Sequence, residues 1–125
     1  MERHPMIVAG FGFRQSASVD SLRAALNLTG MHPDLLATVA SKANSPAIRS
    51  LAQDLGVTIH AVAPSDLRAQ TTLTQSTAAL AAHATGSVAE AAALSAAGSG
   101  ARLTGPREIS PDRMASCAIA ERDAP

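Results

Sequence analysis

Aromatic residues are almost absent from this chain: it has no Trp, no Tyr and only two Phe, Phe11 and Phe13. Aromatic cages for cations and base-stacking platforms for single-stranded nucleic acids need several exposed rings, so both kinds of site are excluded. A surplus of one charge is missing too, because 10 Lys and Arg balance 10 Asp and Glu. A nucleic-acid-binding domain needs a basic surplus to displace phosphate counterions, and no nucleic-acid partner is therefore expected.

Cysteine and long apolar runs are also scarce. The single cysteine, Cys117, excludes an internal disulfide and a multi-cysteine metal site, and the four histidines show no metal-ligand spacing. No stretch approaches the roughly 18 apolar residues of a membrane span, and the N-terminus lacks the long apolar segment of a signal peptide. We therefore expect a cytoplasmic protein with no bound metal, no cofactor and no membrane contact.

The order of predicted elements indicates the fold class. Strands are predicted at residues 6–9, 35–40, 57–62, 101–103 and 114–120 from their apolar and β-branched content. Helices are predicted at 16–28, 45–55, 64–69 and 87–97, and the polar stretch 70–85 is predicted to be a loop that can hold a short helix at 78–82. Residues 121–125 are expected to fray. The alternation predicts an α/β fold over residues 1–125: one three-layer domain with a mainly parallel (mixed) sheet, one antiparallel edge pair and helices on both faces.

Loops at the carboxyl ends of the predicted strands are the candidate ligand sites, because open α/β sheets bind ligands there. The first runs from Gly10 through Phe11, Gly12 and Phe13 to Arg14. Its glycines would let the backbone approach a ligand, and the cation together with the following helix N-terminus favours an anion. A plain strand-to-helix turn is the alternative explanation.

Two further loops follow the same logic. Residues 41–45 contain Lys42, the only lysine of the chain, with Asn44 and Ser45 beside it. The run Thr85-Gly86-Ser87-Val88-Ala89-Glu90 places hydroxyls and free amides at a helix N-terminus, where a carboxylate or an oxyanion can be held. The alternative there is structural, because Ser87 and Glu90 have the spacing of a full capping box. Together the loops predict a metal-free and cofactor-free site for a negatively charged molecule.

These motifs, in this order, resemble the CobE family of cobalamin (vitamin B12) biosynthesis, equivalent to the C-terminal domain of CbiG. The likeness covers nearly the whole chain. Its most specific part is residues 85–94, TGSVAEAAAL, which is similar to a TG-x-x-V-A-E-A-A-A-L run of the family. The chain departs from the family pattern at Ser45, where an acidic residue is usual, and at Phe13, where a cysteine is common.

The resemblance implies a corrin-ring intermediate, a precorrin or corrinoid, as the ligand. One hypothesis is an accessory or carrier protein of the aerobic-type pathway that holds this intermediate without chemistry. The alternative is a precorrin hydrolase of the CbiG type, which opens a ring lactone with loss of a two-carbon fragment; Glu90 would be its general base and Lys42 its electrophile. A third is a module that contacts other cobalamin-pathway enzymes or its own copy. The predicted binding residues are Gly10, Phe11, Gly12, Phe13, Arg14, Lys42, Asn44, Ser45, Thr85, Gly86, Ser87 and Glu90.

Overall fold

A six-stranded mixed sheet forms the centre of the structure, a computed structural model in which residues 5–123 are described. In chain order its strands are β1 (Met6–Phe13), β2 (Leu35–Val39), β3 (Thr58–Val62), β4 (Arg102–Leu103), β5 (Glu108–Ile109) and β6 (Ala115–Arg122). They are arranged in the order β3-β2-β1-β6-β4, and β5 pairs with β6. The first three strands run parallel, whereas β6 is antiparallel to β1, β4 and β5.

Helices cover both faces of this sheet. They are α1 (Val19–Thr29), α2 (Pro46–Leu55), α3 (Pro64–Arg68), α4 (Thr77–His83) and α5 (Val88–Ala97), with one 3₁₀ turn at Ala40–Lys42. Helices α1 and α2 share one core cluster with Phe11 and Phe13, and α5 shares the other with Val8 and Leu67. The predicted α/β class with helices on both faces is confirmed. No helix in the described part of the chain is long and apolar enough to cross a membrane.

Strand β1 alternates between the two faces, as the period of two requires. Ala9 and Phe11 face α1 and α2, whereas Gly10 faces α5. A Cβ added at Gly10 would lie 2.1 Å from the carbonyl oxygen of Ala89 and 2.9 Å from the Cβ of Ala93. The glycine is therefore needed because an alanine-rich helix lies almost directly on the strand.

The predicted boundaries of the first and last strands are wrong, and both errors have one cause. Strand β1 pairs with β6 along its whole length, from Met6 opposite Arg122 to Phe13 opposite Ala115. Residues 10–13 are therefore strand, not loop, and residues 121–122 are strand, not frayed; residues 124–125 lie outside the described residues. The predicted antiparallel pair exists as β4 and β6, but β6 is an inner strand because its other edge pairs with β1.

The topology places a crevice at one end of the sheet. From β1 the chain passes through α1 and α2 on one face to reach β2 and β3, and then returns through α3, α4 and α5 on the other face to β4. The direction of winding therefore reverses between β1 and its other neighbour, β6. In open α/β sheets such a reversal opens a crevice at the carboxyl ends of the strands, which is where ligands bind.

Candidate ligand-binding site

A cavity of about 510 Å³ lies at this crevice. Its floor is formed by the ends of β1 and β2 and by the start of β6, including Gly12, Val39 and Ser116. Helix α4 forms one wall with Ala78, Ala79, Ala82 and His83, and the segment 107–114 contributes another. Cavities of about 300–1,000 Å³ are typical of small-molecule sites.

Basic residues dominate the polar lining of the pocket. Arg14, Lys42, Arg107 and Arg113 line it, and no Asp or Glu in the described part of the chain does. The ion pairs within residues 5–123 join Arg23 to Asp54, and Arg102 to Glu121 and Asp123. The four basic residues of the pocket therefore have no ion-pair partner among the described residues, and their charges are available to a ligand.

Lys42 is fixed at the end of β1. Its Nζ donates a hydrogen bond to the carbonyl oxygen of Phe13 and lies 5.2 Å from the centroid of the Phe13 ring. Partial burial lowers the pKa of the Lys42 ammonium. An ammonium has three N–H donors, so two remain for a ligand in the cavity.

Arg113 occupies an unusual backbone conformation, with φ of +62°. The turn around it is held by Asp112, whose carboxylate accepts hydrogen bonds from Ser110 Oγ at 2.6 Å, Ser21 Oγ at 2.5 Å and the Met114 backbone N–H at 3.0 Å. These bonds lower the pKa of Asp112, and the bond from Ser110 contributes the most. Non-glycine residues with a left-handed backbone are uncommon overall. Those that exist are concentrated at functional sites, where the surrounding structure maintains the backbone strain.

Glu90 lies behind the pocket and is fully buried. Its carboxylate accepts hydrogen bonds from Leu73 N at 2.6 Å, Thr74 N at 2.9 Å, Thr74 Oγ1 at 2.5 Å and Arg107 N at 3.0 Å. Burial alone raises the pKa of Glu90, but these hydrogen bonds together outweigh it, and the pKa lies below its ordinary value. The carboxylate therefore joins the segment before α4 to the segment carrying Arg107, which are two walls of the pocket.

The remainder of the Thr85–Glu90 motif supports the same wall. A Cβ on Gly86 would lie 2.3 Å from the carbonyl oxygen of Thr74, and the Ser76 N–H donates to the Gly86 carbonyl at 2.7 Å. Ser87 Oγ accepts from the Glu90 N–H at 3.2 Å, but the Glu90 side chain turns away to residues 73, 74 and 107. The predicted full capping box is therefore wrong, and only its serine half is present.

The predicted binding residues separate into two groups. Gly12, Phe13, Arg14 and Lys42 line the pocket, and all four come from the two strand ends that the sequence indicates. The others do not line it: Gly10 and Phe11 are buried in β1, Asn44 and Ser45 lie in the turn before α2, and Thr85, Gly86, Ser87 and Glu90 are buried behind α4. Ser45 occupies the N-cap position of α2 without a side-chain capping bond.

Sequence reasoning did not identify several lining residues: Ser76, His83, Arg107, Arg113 and Ser116. One signal was available for the two arginines, since both precede the last predicted strand. An antiparallel last strand begins at the edge where parallel strands end, so pairing β6 with β1 would have placed Arg113 beside Arg14. The Arg14 N–H in fact donates to the Met114 carbonyl at 2.9 Å.

The family model and the solved structures that match this chain agree with one another. Residues 7–120 match the model of a family described as "Cobalamin synthesis G C-terminus". No curated protein matches the chain.

Solved structures that are similar to it include the following three. The crystal structure of CobE, a protein from the cobalamin (vitamin B12) biosynthetic pathway, has a TM-score of 0.85 at 34% identity, covering 100% of this chain and 96% of that one. Cobalamin biosynthesis protein chiG from Agrobacterium tumefaciens has a TM-score of 0.72 at 36% identity, covering 94% and 98%. A cobalamin biosynthesis protein G homolog from Sulfolobus solfataricus has a TM-score of 0.72 at 18% identity, covering 95% of this chain and 37% of that one, and indicates the fold alone.

Proposed function

We infer a function for the pocket from one premise: the chain belongs to the cobalamin synthesis G C-terminus family and is a cobalamin biosynthesis protein of the CobE and CbiG C-terminal type. We propose that it binds a corrinoid intermediate, of the precorrin class or later, in the pocket between β1, β6 and α4. We further propose that it acts as an accessory or carrier protein, which holds the intermediate without changing it.

One observation carries this proposal: within residues 5–123, four basic residues without ion-pair partners line one pocket, and no acidic residue lines it. Corrinoid intermediates carry acetate and propionate carboxylates around a broad apolar ring. Hydrogen bonds between such carboxylates and Arg or Lys are charge-assisted and are about twice as strong as neutral ones. The arrangement therefore suits the rim of the ring.

The apolar part of the pocket suits the face of the ring. Ala78, Ala79 and Ala82 of α4 and Val88 of α5 lie on the same cavity as the cations. Small side chains on a wall leave a broad surface without bulky projections, which can contact a flat macrocycle. Flat apolar contact and charged contact at the edge are the two requirements of this ligand class.

The placement of the candidate catalytic groups supports a carrier over a hydrolase. Glu90, the general base of the hydrolase hypothesis, is buried and accepts hydrogen bonds from four donors. Cys117 is fully buried, and burial raises the pKa of its thiol, so it is not an accessible nucleophile. Glu90 acts instead as a positioning residue for the pocket walls.

Titration of the purified protein with cobyrinic acid, followed by the visible absorption of the corrin, tests the proposal. We expect saturable binding that weakens roughly 10- to 150-fold in Arg14→Ala and in Lys42→Ala, because each loses a charge-assisted contact of about 1.5–3 kcal/mol. Arg49→Ala is the matched control, since Arg49 is an exposed residue of α2 outside this pocket. Thermal melts of Arg14→Ala and Arg49→Ala should match the parent protein, whereas Lys42→Ala, which also loses the hydrogen bond to the Phe13 carbonyl, should melt lower by no more than about 6 °C. Absence of binding, or equal losses in the control, would overturn the proposal.

A further inference from the structure

We propose that His83 is an axial ligand to the metal of a cobalt-bearing corrinoid held in the pocket. This inference rests on the proposed function and assigns a metal-binding role to a side chain that the contacts with the ligand carboxylates leave unused. It follows from the place of His83 on α4, from its lack of other partners and from the small size of the side chains around it.

The side of α4 that lines the pocket carries small side chains and one imidazole. Ala79 and His83 are four residues apart in the chain, as are Ala78 and Ala82, so these side chains lie in two adjacent rows on one face of the helix. Leu80 does not line the cavity and is 47% exposed. His83 is therefore the one long side chain that α4 contributes to the pocket.

The imidazole of His83 has no competing partner. Within residues 5–123 its side chain takes part in no hydrogen bond or ion pair, and it is half-buried. Its backbone is nevertheless held in place, because Ala84 ends α4 with φ of +55° and the Ser76 N–H donates to the Gly86 carbonyl at 2.7 Å, which joins the two ends of the segment. A neutral imidazole offers one ring nitrogen with a lone pair to a metal, and histidine is the commonest metal ligand in proteins.

The other polar or sulfur-containing lining residues are poorer candidates. The guanidinium and ammonium groups of the four basic residues are donors only, with no lone pair for a metal. Met114 has a thioether sulfur, but it directly follows Arg113 and its carbonyl accepts from the Arg14 N–H at 2.9 Å. Met114 therefore lies among the cations that would contact the rim of the ring, whereas His83 belongs to the apolar wall that would contact its face, where the metal is.

Ligation by His83 is a simple exchange at the metal. A corrin ring holds cobalt through its ring nitrogens and leaves one axial position on each face. With the ring flat against α4, the imidazole nitrogen donates its lone pair to cobalt and the water bound there leaves, so a cobalt–oxygen bond breaks, a cobalt–nitrogen bond forms and the metal keeps its oxidation state. The methyl groups of the alanines leave room for this approach, and bulkier neighbours would hold the ring out of reach. Metal-free rings would bind through their carboxylates alone.

Electron paramagnetic resonance of the protein with Co(II) cobyrinic acid tests the inference. An axial nitrogen splits each cobalt hyperfine line into a triplet, whereas an axial water does not. We expect the triplet in the parent protein and its loss in His83→Ala. His32→Ala is the matched control and should keep the triplet, since His32 is an exposed histidine outside the pocket. Met114→Leu should keep it as well, because a thioether supplies no nitrogen.

Paired titrations with cobyrinic acid and its metal-free form, which carry the same side chains, give a second readout. The parent protein should bind the cobalt form more tightly, and His83→Ala should reduce the ratio of the two affinities at least about tenfold, which corresponds to about 1.4 kcal/mol. Affinity for the metal-free form should stay within about twofold of the parent value, and this also shows that the variant is folded.

The outcomes separate this inference from the proposed function. If neither form of the ring binds, the proposed function fails and the inference fails with it. If the cobalt form binds but its spectrum has no triplet, the protein is a corrinoid binder and only the axial ligation is overturned. If the triplet persists in His83→Ala, another nitrogen is the ligand and the assignment to His83 is overturned.

Discussion

Replacement of Arg113 by glycine separates two properties of this residue that act in opposite directions. Its φ of +62° places it in the left-handed region, which costs an L-residue about 1–2 kcal/mol and costs glycine almost nothing. Glycine also increases the conformational entropy of the unfolded chain, which lowers the free energy of unfolding by about 0.4–1 kcal/mol. The expected net change is a gain of about 0–1.5 kcal/mol in the free energy of unfolding, or up to roughly 6 °C in Tm.

Ligand affinity should change in the other direction. Arg113 is one of the four basic residues that line the pocket, and glycine removes its charge. Loss of one charge-assisted contact of about 1.5–3 kcal/mol would weaken binding of cobyrinic acid roughly 10- to 150-fold. Calorimetric melts of the free protein and titrations with cobyrinic acid measure the two effects on the same preparation.

Ala84→Gly is the matched control for this experiment. Ala84 ends α4 with φ of +55° and does not line the pocket, so glycine should relieve the same kind of strain and leave the affinity unchanged. A Tm several degrees lower in Arg113→Gly would refute the reasoning, because it would show that the arginine side chain stabilises the turn in which it lies. Affinity unchanged within about twofold would show that Arg113 does not contact the ligand.

Three further substitutions test buried residues that support the walls of the pocket. Glu90→Gln should lower the free energy of unfolding by about 1–3 kcal/mol at neutral pH, because an NH₂ group then faces hydrogen-bond donors. Because the pKa of Glu90 is lowered, its ionised carboxylate stabilises the folded protein above the ordinary glutamate pKa, and this stabilisation is lost as the pH falls. In urea unfolding between neutral pH and about pH 3, the free energy of unfolding should therefore fall less steeply with decreasing pH in Glu90→Gln than in the parent protein. Equal slopes in the two proteins would contradict this. Gly10→Ala should lower the free energy of unfolding by about 3 kcal/mol in chemical denaturation, since its Cβ would lie 2.1 Å from the Ala89 carbonyl oxygen. An unchanged free energy of unfolding would show that α5 shifts to accommodate the methyl group. Ser87→Ala should cost about 1 kcal/mol in the same assay through loss of the N-cap bond, and a loss near zero would mean that the hydroxyl adds nothing to the helix.

Local signals predicted the parts of the fold that local contacts determine. The predicted helices 16–28 and 45–55 are each followed closely by a glycine, and these residues, Gly30 and Gly56, adopt φ of +68° at the C-caps of α1 and α2. The predicted short helix at 78–82 is present as α4, and Ser87 does cap α5. These features depend on residues close together in the chain, which a single sequence displays.

The errors arise where distant segments decide the structure. Gly10 and Gly12 look like turn residues by composition, but pairing with β6 keeps them in a strand whose glycines face α5. The same antiparallel strand brings Arg113 to the end of β1, and the segment before it brings Arg107 to the pocket, so half of the cationic lining depends on a pairing that periodicity does not reveal. Arg14 and Lys42 were identified because they follow parallel strands directly.

The separation of charge in this molecule also governs how quickly a ligand arrives. The chain is neutral overall, yet four of its ten Lys and Arg residues line one opening. Far from the protein there is no net charge to attract anions. The local field of the four basic residues is screened beyond a Debye length of about 8 Å at physiological ionic strength. Attraction begins only near the mouth of the pocket, so diffusion without steering sets the encounter rate and the local cations set the dwell time. Outside that opening the chain has ten Asp and Glu against six Lys and Arg, and this acidic surplus would repel nucleic acids and other large polyanions.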